Sequence, residues 1–285
     1  MRQRIPATVV ALALAWLLAA PGLAQSVELQ PETLSAFDRY VAQAEQRMQT
    51  ELRPGGPFLL PDAWPAERRD QAYQRLRRGD LIIEHVDGTS IMSKTQIPRG
   101  LIHHWIGVVF ISGASLAGTL SLMANYDHHS EVYSPDVQRS RLVRREGNDF
   151  HVFMRLKKHK IVTVVLDTEY DVHVAILDAH RVYSQSHGTR IAEVQNPGGK
   201  DERDLPPGND HGFLWALDNY WRFFEAEDGV FVQCEAISLT RNIPTGLGWL
   251  IGPIVQSLPR ESLEFTLATT KRAVAAQAIA SQNRR

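Results

Sequence analysis

Apolar residues change their spacing twice along the 285-residue chain. From Ser35 to Leu52 they recur with helical period: Phe37, Val41, Ala44 and Met48 fall on one face. RPGGP (Arg53–Pro57) stops that helix, because Gly and Pro interrupt regular structure. Ala66–Arg78 is charged and again helix-compatible, and its five arginines fit a solvated face. From Asp80 the period becomes two. Ile82–Val86 reads as a short strand, and in Gly100–Ile111 the residues Ile102, Ile106, Val108 and Phe110 share one face. Ser115 suits the N-cap of a helix over Leu116–Asn125, and Asp127–Pro135 reads as a polar turn. Strands then follow one another: Gln138–Arg145, a second with Phe150, Val152, Met154 and Leu156 on one face, Ile161–Tyr170, Val172–Leu177, Arg181–Val194, Phe213–Ala226 and Val230–Leu239. Asn196–Gly212 reads as a long polar loop. Arg260–Ala280 returns to helical spacing with Leu263, Leu267, Thr270 and Val274 in a stripe. Between the last strand and that helix, Gly246, Gly248, Gly252 and Pro253 argue against a regular element in the apolar link Ile243–Pro259. A helix, a run of antiparallel strands and a long terminal helix predict an α+β chain.

Residues 1–24 have the pattern of a secretory signal. Arg2 and Arg4 precede the apolar Ala11–Ala20, and Gly22-Leu23-Ala24 supplies small residues for cleavage after Ala24. This predicts a periplasmic or secreted protein. The remaining sequence divides into a helical extension with one strand at 25–99 and a larger unit at 100–280. Lys+Arg total 31 against 32 Asp+Glu, which excludes a binder of nucleic acid working through a basic surface. The single cysteine, Cys234, excludes an intrachain disulfide.

The candidate chemistry is sparse. His103-His104 and His128-His129 are adjacent pairs, but neighbouring strand residues point to opposite faces, and no HExxH or Cys/His spacing is present. No metal or cofactor is expected. His104 shares the apolar face of Ile102 and Ile106, so it fits either the polar anchor of a ligand head group or a buried histidine bonded to backbone. Asp167 and Glu169 lie two apart on a strand, which fits a solvated face as well as acid–base work. No GxSxG elbow occurs, and Cys234 in an alternating strand fits an inert apolar residue.

The stretches GLIHHWIGVVFISGASLAGTLSLMANYDHH, VYSPDVQRSRLVRREGNDFHVFMRLKKHKIVTVVLDTEYDV and DGVFVQCEAISLTRNIPTGLGWLIGPIVQSLPRESLEFTLATTKRAV, within Gly100–Val274, resemble the START-like (SRPBCC) superfamily. That superfamily includes polyketide cyclases and coenzyme Q-binding proteins. The resemblance implies a helix-grip fold, with a curved antiparallel sheet clasping the C-terminal helix over a hydrophobic cavity. It carries over no catalytic residue. In such a cavity the ligand-contacting set would comprise His104, Ile106 and Phe110 on the first long strand, and Met154, Leu156 and Leu166 on the middle strands. Trp215, Asn219, Trp221 and Cys234 would come from the last two strands, with Trp249, Leu263 and Leu267 from the link and helix. The function this implies is a binding or carrier protein for a lipid, quinone or polyketide-like molecule. A cyclase- or hydrolase-like enzyme in the same cavity, and a protein-interaction module without a small ligand, are the alternatives. Trp249 in the link would suit transient contact with a membrane, the link acting as a lid or else as a plug.

Overall fold

A computed structural model describes residues 26–87, 97–160, 162–243 and 248–282, with side chains in the last segment from 255 to 281. A two-residue strand, β1 (Val27–Glu28), leads into helix α1 (Pro31–Glu51), which starts earlier than its apolar spacing predicts because Pro31 occupies the first helical turn. Helix α2 (Ala66–Arg77) follows, then β2 (Ile82–His85), β3 (Gly100–Ser112) and α3 (Leu116–Met123). Ser115 caps α3, its hydroxyl accepting from Gly118 N–H at 3.1 Å. The turn predicted at Asp127–Pro135 contains the short helix α4 (His129–Val132). The strands β4 (Val137–Glu146), β5 (Asp149–His159), β6 (Thr163–Ile176), β7 (Arg181–Gln195), β8 (Arg203–Asp204), β9 (Asn209–Asp210), β10 (Ala216–Ala226) and β11 (Gly229–Arg241) come next. Two predicted strands, split at Asp171, form the single strand β6, and the predicted loop at Asn196–Gly212 contains β8 and β9.

Helix α5 (Gly248–Gln282) runs through much of the link expected to be irregular. Residues 244–247 and the side chain of Trp249 lie outside the described residues, and with them the membrane-contact expectation. The signal segment 1–24 lies outside them too.

The main sheet has the order β2-β3-β11-β10-β7-β6-β5-β4, every pairing antiparallel, with β8 added beside β7. β1 and β9 make a separate pair that ties the start of the extension to the 196–212 segment. The sheet curves around α5. On its inner face, Val109, Ile111, Val230, Val232 and Cys234 pack against Leu263, Leu267 and Val274 of that helix. Gly107 makes the approach possible: a Cβ there would sit 2.5 Å from Leu267 Cδ1. The architecture is a helix-grip fold, α+β, as expected.

The outer face of β3, β11 and β10 is covered by the extension. Phe37, Tyr40, Val41, Ala44 and Met48 of α1 pack on Ile237, Leu239 and Tyr220. Leu76 and Ala72 of α2, with Phe58 and Leu59, pack on Val108, Phe110 and Phe231. Each Val, Leu, Ile, Phe or Met among them, fully buried, contributes roughly 1.5–3 kcal/mol relative to exposure. The molecule is therefore three-layered in this half, and β3 and β11 are buried on both faces.

That second layer changes the assignment of His104. It is 1% exposed and faces α1, where Tyr40 hydroxyl meets Nδ1 at 2.8 Å and Nε2 donates to Glu235 Oε1 at 2.6 Å. It is a buried histidine held by side chains, neither a head-group anchor nor bonded to backbone. Arg47 also donates to Glu235, and its other nitrogen reaches Glu51 at 2.8 Å. Glu51 accepts from Arg222 at 2.6 Å, and Arg222 donates to Phe58 O at 2.9 Å. Burial pushes the Glu235 carboxyl up. The His104 hydrogen bond and the Arg47 and Arg222 guanidiniums outweigh it, and hold the group below the usual carboxylate range.

Candidate functional site

Towards β4–β7 the sheet and α5 separate and enclose a cavity of about 630 Å³. Pockets for small ligands span roughly 300–1,000 Å³. Its floor is the inner face of β10, with Leu217, Asn219, Trp221 and Phe223 at alternate positions. Met154 and Leu156 of β5 and Leu166 of β6 form one wall, and Leu263, Phe265 and Thr266 of α5 lie opposite. α3, α4 and the residues flanking α4 close one side through Leu120, Met123, Tyr126, His129 and Tyr133. The strand period explains the lining: in β5, residues 150, 152, 154 and 156 all face inward, as predicted from their alternation.

The polar groups in this apolar surface fall into three kinds. Some are satisfied within the protein: Tyr133 hydroxyl lies 2.9 Å from Thr270 Oγ1, and His129 Nε2 donates to Met123 O at 3.1 Å. Burial pushes His129 down to about 4, so it is neutral at pH 7. A second kind is charged and keeps access to solvent. Lys158 pairs with Asp136, Lys160 pairs with Glu261 at 2.5 Å, and Arg145 lies over the Phe150 ring at 4.8 Å. The third kind is uncharged: Ser184, Ser186, Asn219 and Ser238 line the cavity, and no side-chain hydrogen bond reaches them among the described residues. Burial also pushes the Cys234 thiol far above its ordinary value, so this cavity-facing cysteine is a small apolar surface and not a nucleophile. Asp136 is tied to Lys158 and His129 is a weak base, so the titratable groups suit binding better than proton transfer. Among the described residues no cluster could hold a metal ion, and no helix is long and apolar enough to cross a membrane.

No family model and no curated protein matches the chain. Solved structures do. A protein from Thermus thermophilus is 15% identical, with 62% of this chain and 97% of that one covered at a TM-score of 0.42. A STAR-related lipid transfer protein fragment from Xanthomonas axonopodis is 14% identical, covering 64% and 96% at 0.42. The Zhui aromatase/cyclase from Streptomyces sp. R1128 is 11% identical, covering 62% and 94% at 0.38.

Of the residues singled out from sequence, the structure brings Met154, Leu156, Leu166, Asn219, Trp221, Cys234 and Leu263 to the cavity. The side chain of Trp249 lies outside the described residues, and the rest are placed elsewhere. His104, Ile106 and Phe110 have the opposite parity on β3 and face outward; there it is Trp105 that lines the cavity. Trp215 precedes β10, outside the strand's alternation, and its Nε1 donates to Asp210 at 3.0 Å within the α1 layer. Leu267 is fully buried against Gly107, in the helix–sheet core and not on the cavity surface. Asp167 is not solvated: Arg155 grips it with two hydrogen bonds of 2.6 and 2.7 Å. The sequence reading missed the three serines and the aromatic side wall at Tyr126, His129 and Tyr133. The signal for two of the serines was present, as Val182, Ser184 and Ser186 alternate along one face of β7.

Proposed function

We propose that this protein binds and carries a hydrophobic small molecule of the lipid, quinone or polyketide-like kind. One observation carries the reading: an apolar cavity of about 630 Å³ lies between the inner face of the sheet and the terminal helix, with its charged groups only where solvent reaches. A carrier is useful for such a molecule because each exposed CH₂ group costs about 0.8 kcal/mol in water. Export also belongs to this proposal, supported by Arg2, Arg4 and the apolar run before Ala24. Native mass spectrometry of protein purified from its own host, followed by organic extraction, should release a bound apolar molecule. The purified protein should take up N-phenyl-1-naphthylamine saturably, with one site per chain. No extractable molecule together with no saturable uptake would sink the carrier reading. A mature chain beginning at Gln25 in the periplasmic fraction is the expected result for export, and an uncleaved cytoplasmic chain the contrary one.

A further inference from the structure

The cavity floor carries a second message, which rests on the carrier reading and narrows it. In the strand register Asn219 of β10 is directly opposite Ser186 of β7, and Trp221 is directly opposite Ser184. On the other side Leu217 faces Ser238 of β11. Directly opposite positions put side chains about 4.5–5.5 Å apart and diagonal ones about 7–8 Å, so the Asn219 amide has Ser186 beside it and Ser184 and Ser238 at its two diagonals, a polar group centred on Asn219 in an apolar floor. Ser184 and Ser238 are each 7% exposed. The four side chains have no hydrogen-bond partner among the described residues. The patch offers both donors and acceptors: two N–H and one carbonyl from the amide, and an O–H with free lone pairs from each serine. It carries no charge. The charged lining residues, Asp136, Arg145, Lys158, Lys160 and Arg241, are all at least partly exposed, and both lysines are paired with carboxylates.

We propose that the ligand is uncharged and carries a hydroxyl, carbonyl, ester or amide group that docks on Asn219 and its flanking serines. Two arguments converge on this class. A ligand that fills the cavity displaces the solvent that can satisfy these groups, so it must replace those hydrogen bonds or leave them buried and unmade. An amphiphile entering tail-first, with a charged head left at the rim, leaves all four unmade. An ionised carboxylate brought to the floor finds no cation there. It must take up a proton, which at pH 8 weakens binding about a thousand- to ten-thousandfold for an acid titrating between about 4 and 5. A neutral oxygen-bearing group meets neither penalty. Asn219 is then the specificity-determining residue, and the surrounding Trp221, Leu217 and Phe223 hold the hydrocarbon on either side of it.

The test is displacement of N-phenyl-1-naphthylamine from the full mature chain at pH 8 by two competitors of equal carbon number, dodecan-1-ol and sodium dodecanoate. The alcohol should displace the dye at a concentration at least tenfold below that of the carboxylate. Hydrophobicity alone contributes to that preference, so the deciding measurement is its change in Asn219→Leu. This variant should weaken the alcohol about five- to tenfold relative to the dye measured on the same variant. Should Asn219→Leu not fold, the Ser186→Ala, Ser238→Ala pair carries the same comparison, with a loss of about threefold or more. Equal displacement by alcohol and carboxylate, or an alcohol affinity unmoved by the variants, overturns the proposal and leaves the carrier reading standing. No saturable dye uptake by the wild type overturns both.

Discussion

Replacing Glu235 by Ala tests whether the extension and the sheet are joined by one buried ionic network. Glu235 is 1% exposed and receives hydrogen bonds from His104 and Arg47. Removing the carboxylate leaves the His104 N–H without an acceptor, at about 1–3 kcal/mol. Arg47 loses one of two carboxylate partners, but it keeps Glu51 and its side chain is one-third exposed, so its share is about 1 kcal/mol. Deleting the side chain's carbon atoms beneath α1 adds roughly 1 kcal/mol more. The expected loss is about 3–5 kcal/mol, in line with what breaking a buried pair costs. Urea denaturation at pH 7 measures it as a shift in midpoint at unchanged slope. Arg47→Met should cost about 1–2 kcal/mol, and the double variant distinctly less than the sum, because both remove the same contact. Dye binding should not change, since Glu235 points away from the cavity while its neighbour Cys234 points in. The pH dependence has a definite sign. The folded-state pKa of Glu235 is held below its unfolded value, so its stabilisation is present above the usual carboxylate range. It is lost as pH falls through the depressed value, and the variant should lack that acid limb. A loss below 1 kcal/mol, or strict additivity with Arg47→Met, would refute the network and leave only apolar packing between the layers.

Burial pushes His103 and His129 down to about 4 from 6.5, so the unfolded chain takes up their protons first, and stability should fall by up to about 1.4 kcal/mol per pH unit per histidine between 6.5 and 4. Urea melts at pH 7.5, 6 and 4.5 read this, and His129→Phe should flatten the trend; a flat wild-type profile would contradict it. Gly107→Ala forces a Cβ against Leu267 and should cost about 1–3 kcal/mol, whereas Gly107→Ala combined with Leu267→Ala should be less destabilised than the two single losses summed. Simple additivity in thermal melts would mean that the helix does not press on the sheet there. Arg155 grips Asp167 and also donates to Glu202 at 2.7 Å, so Arg155→Met should both destabilise the chain and speed limited proteolysis within residues 196–202. An unchanged cleavage rate would detach that segment from the pair.

The inner half of the fold was legible because its strands obey a period of two with a clear contrast. Phe150, Val152, Met154 and Leu156 alternate with residues of the outer face, and all four line the cavity. The terminal helix was legible from Leu263, Leu267 and Val274. β3 defeated the same logic. In GLIHHWIGVVFI both parities are apolar, because α5 covers one face and the extension the other, so alternation cannot say which face meets the cavity. The polar exceptions were the better guide, read in pairs across strands. His104 pairs in register with Ile237, and Glu235 with Ile106. All four side chains lie on the outer face, and the contact between His104 and Glu235 depends on strand order, which one chain's local pattern does not encode. The need for glycine at 107 comes from Leu267, which meets it only in the fold.

The polar residues of the outer face also bear on what the extension is. Arg222, Gln233 and Glu235 sit in the middle of β10 and β11, each 0–1% exposed, where a sheet facing solvent on that side would hold them in water and a two-layer core would exclude them. They are accommodated only because α1 and the segment after it bring matching groups: Arg47, Glu51, Phe58 O, and the Leu60 N–H that donates to Gln233 at 2.6 Å. Around them lie Val108, Phe110, Phe231 and Leu239, which are buried like the residues facing α5. Such a surface is stable neither wet nor dry without its cover: the apolar residues disfavour exposure, and the charged ones disfavour any cover lacking their partners. The extension is thus selected by charge as well as by shape. The inner face of the same strands packs on α5 at one end and lines the cavity at the other.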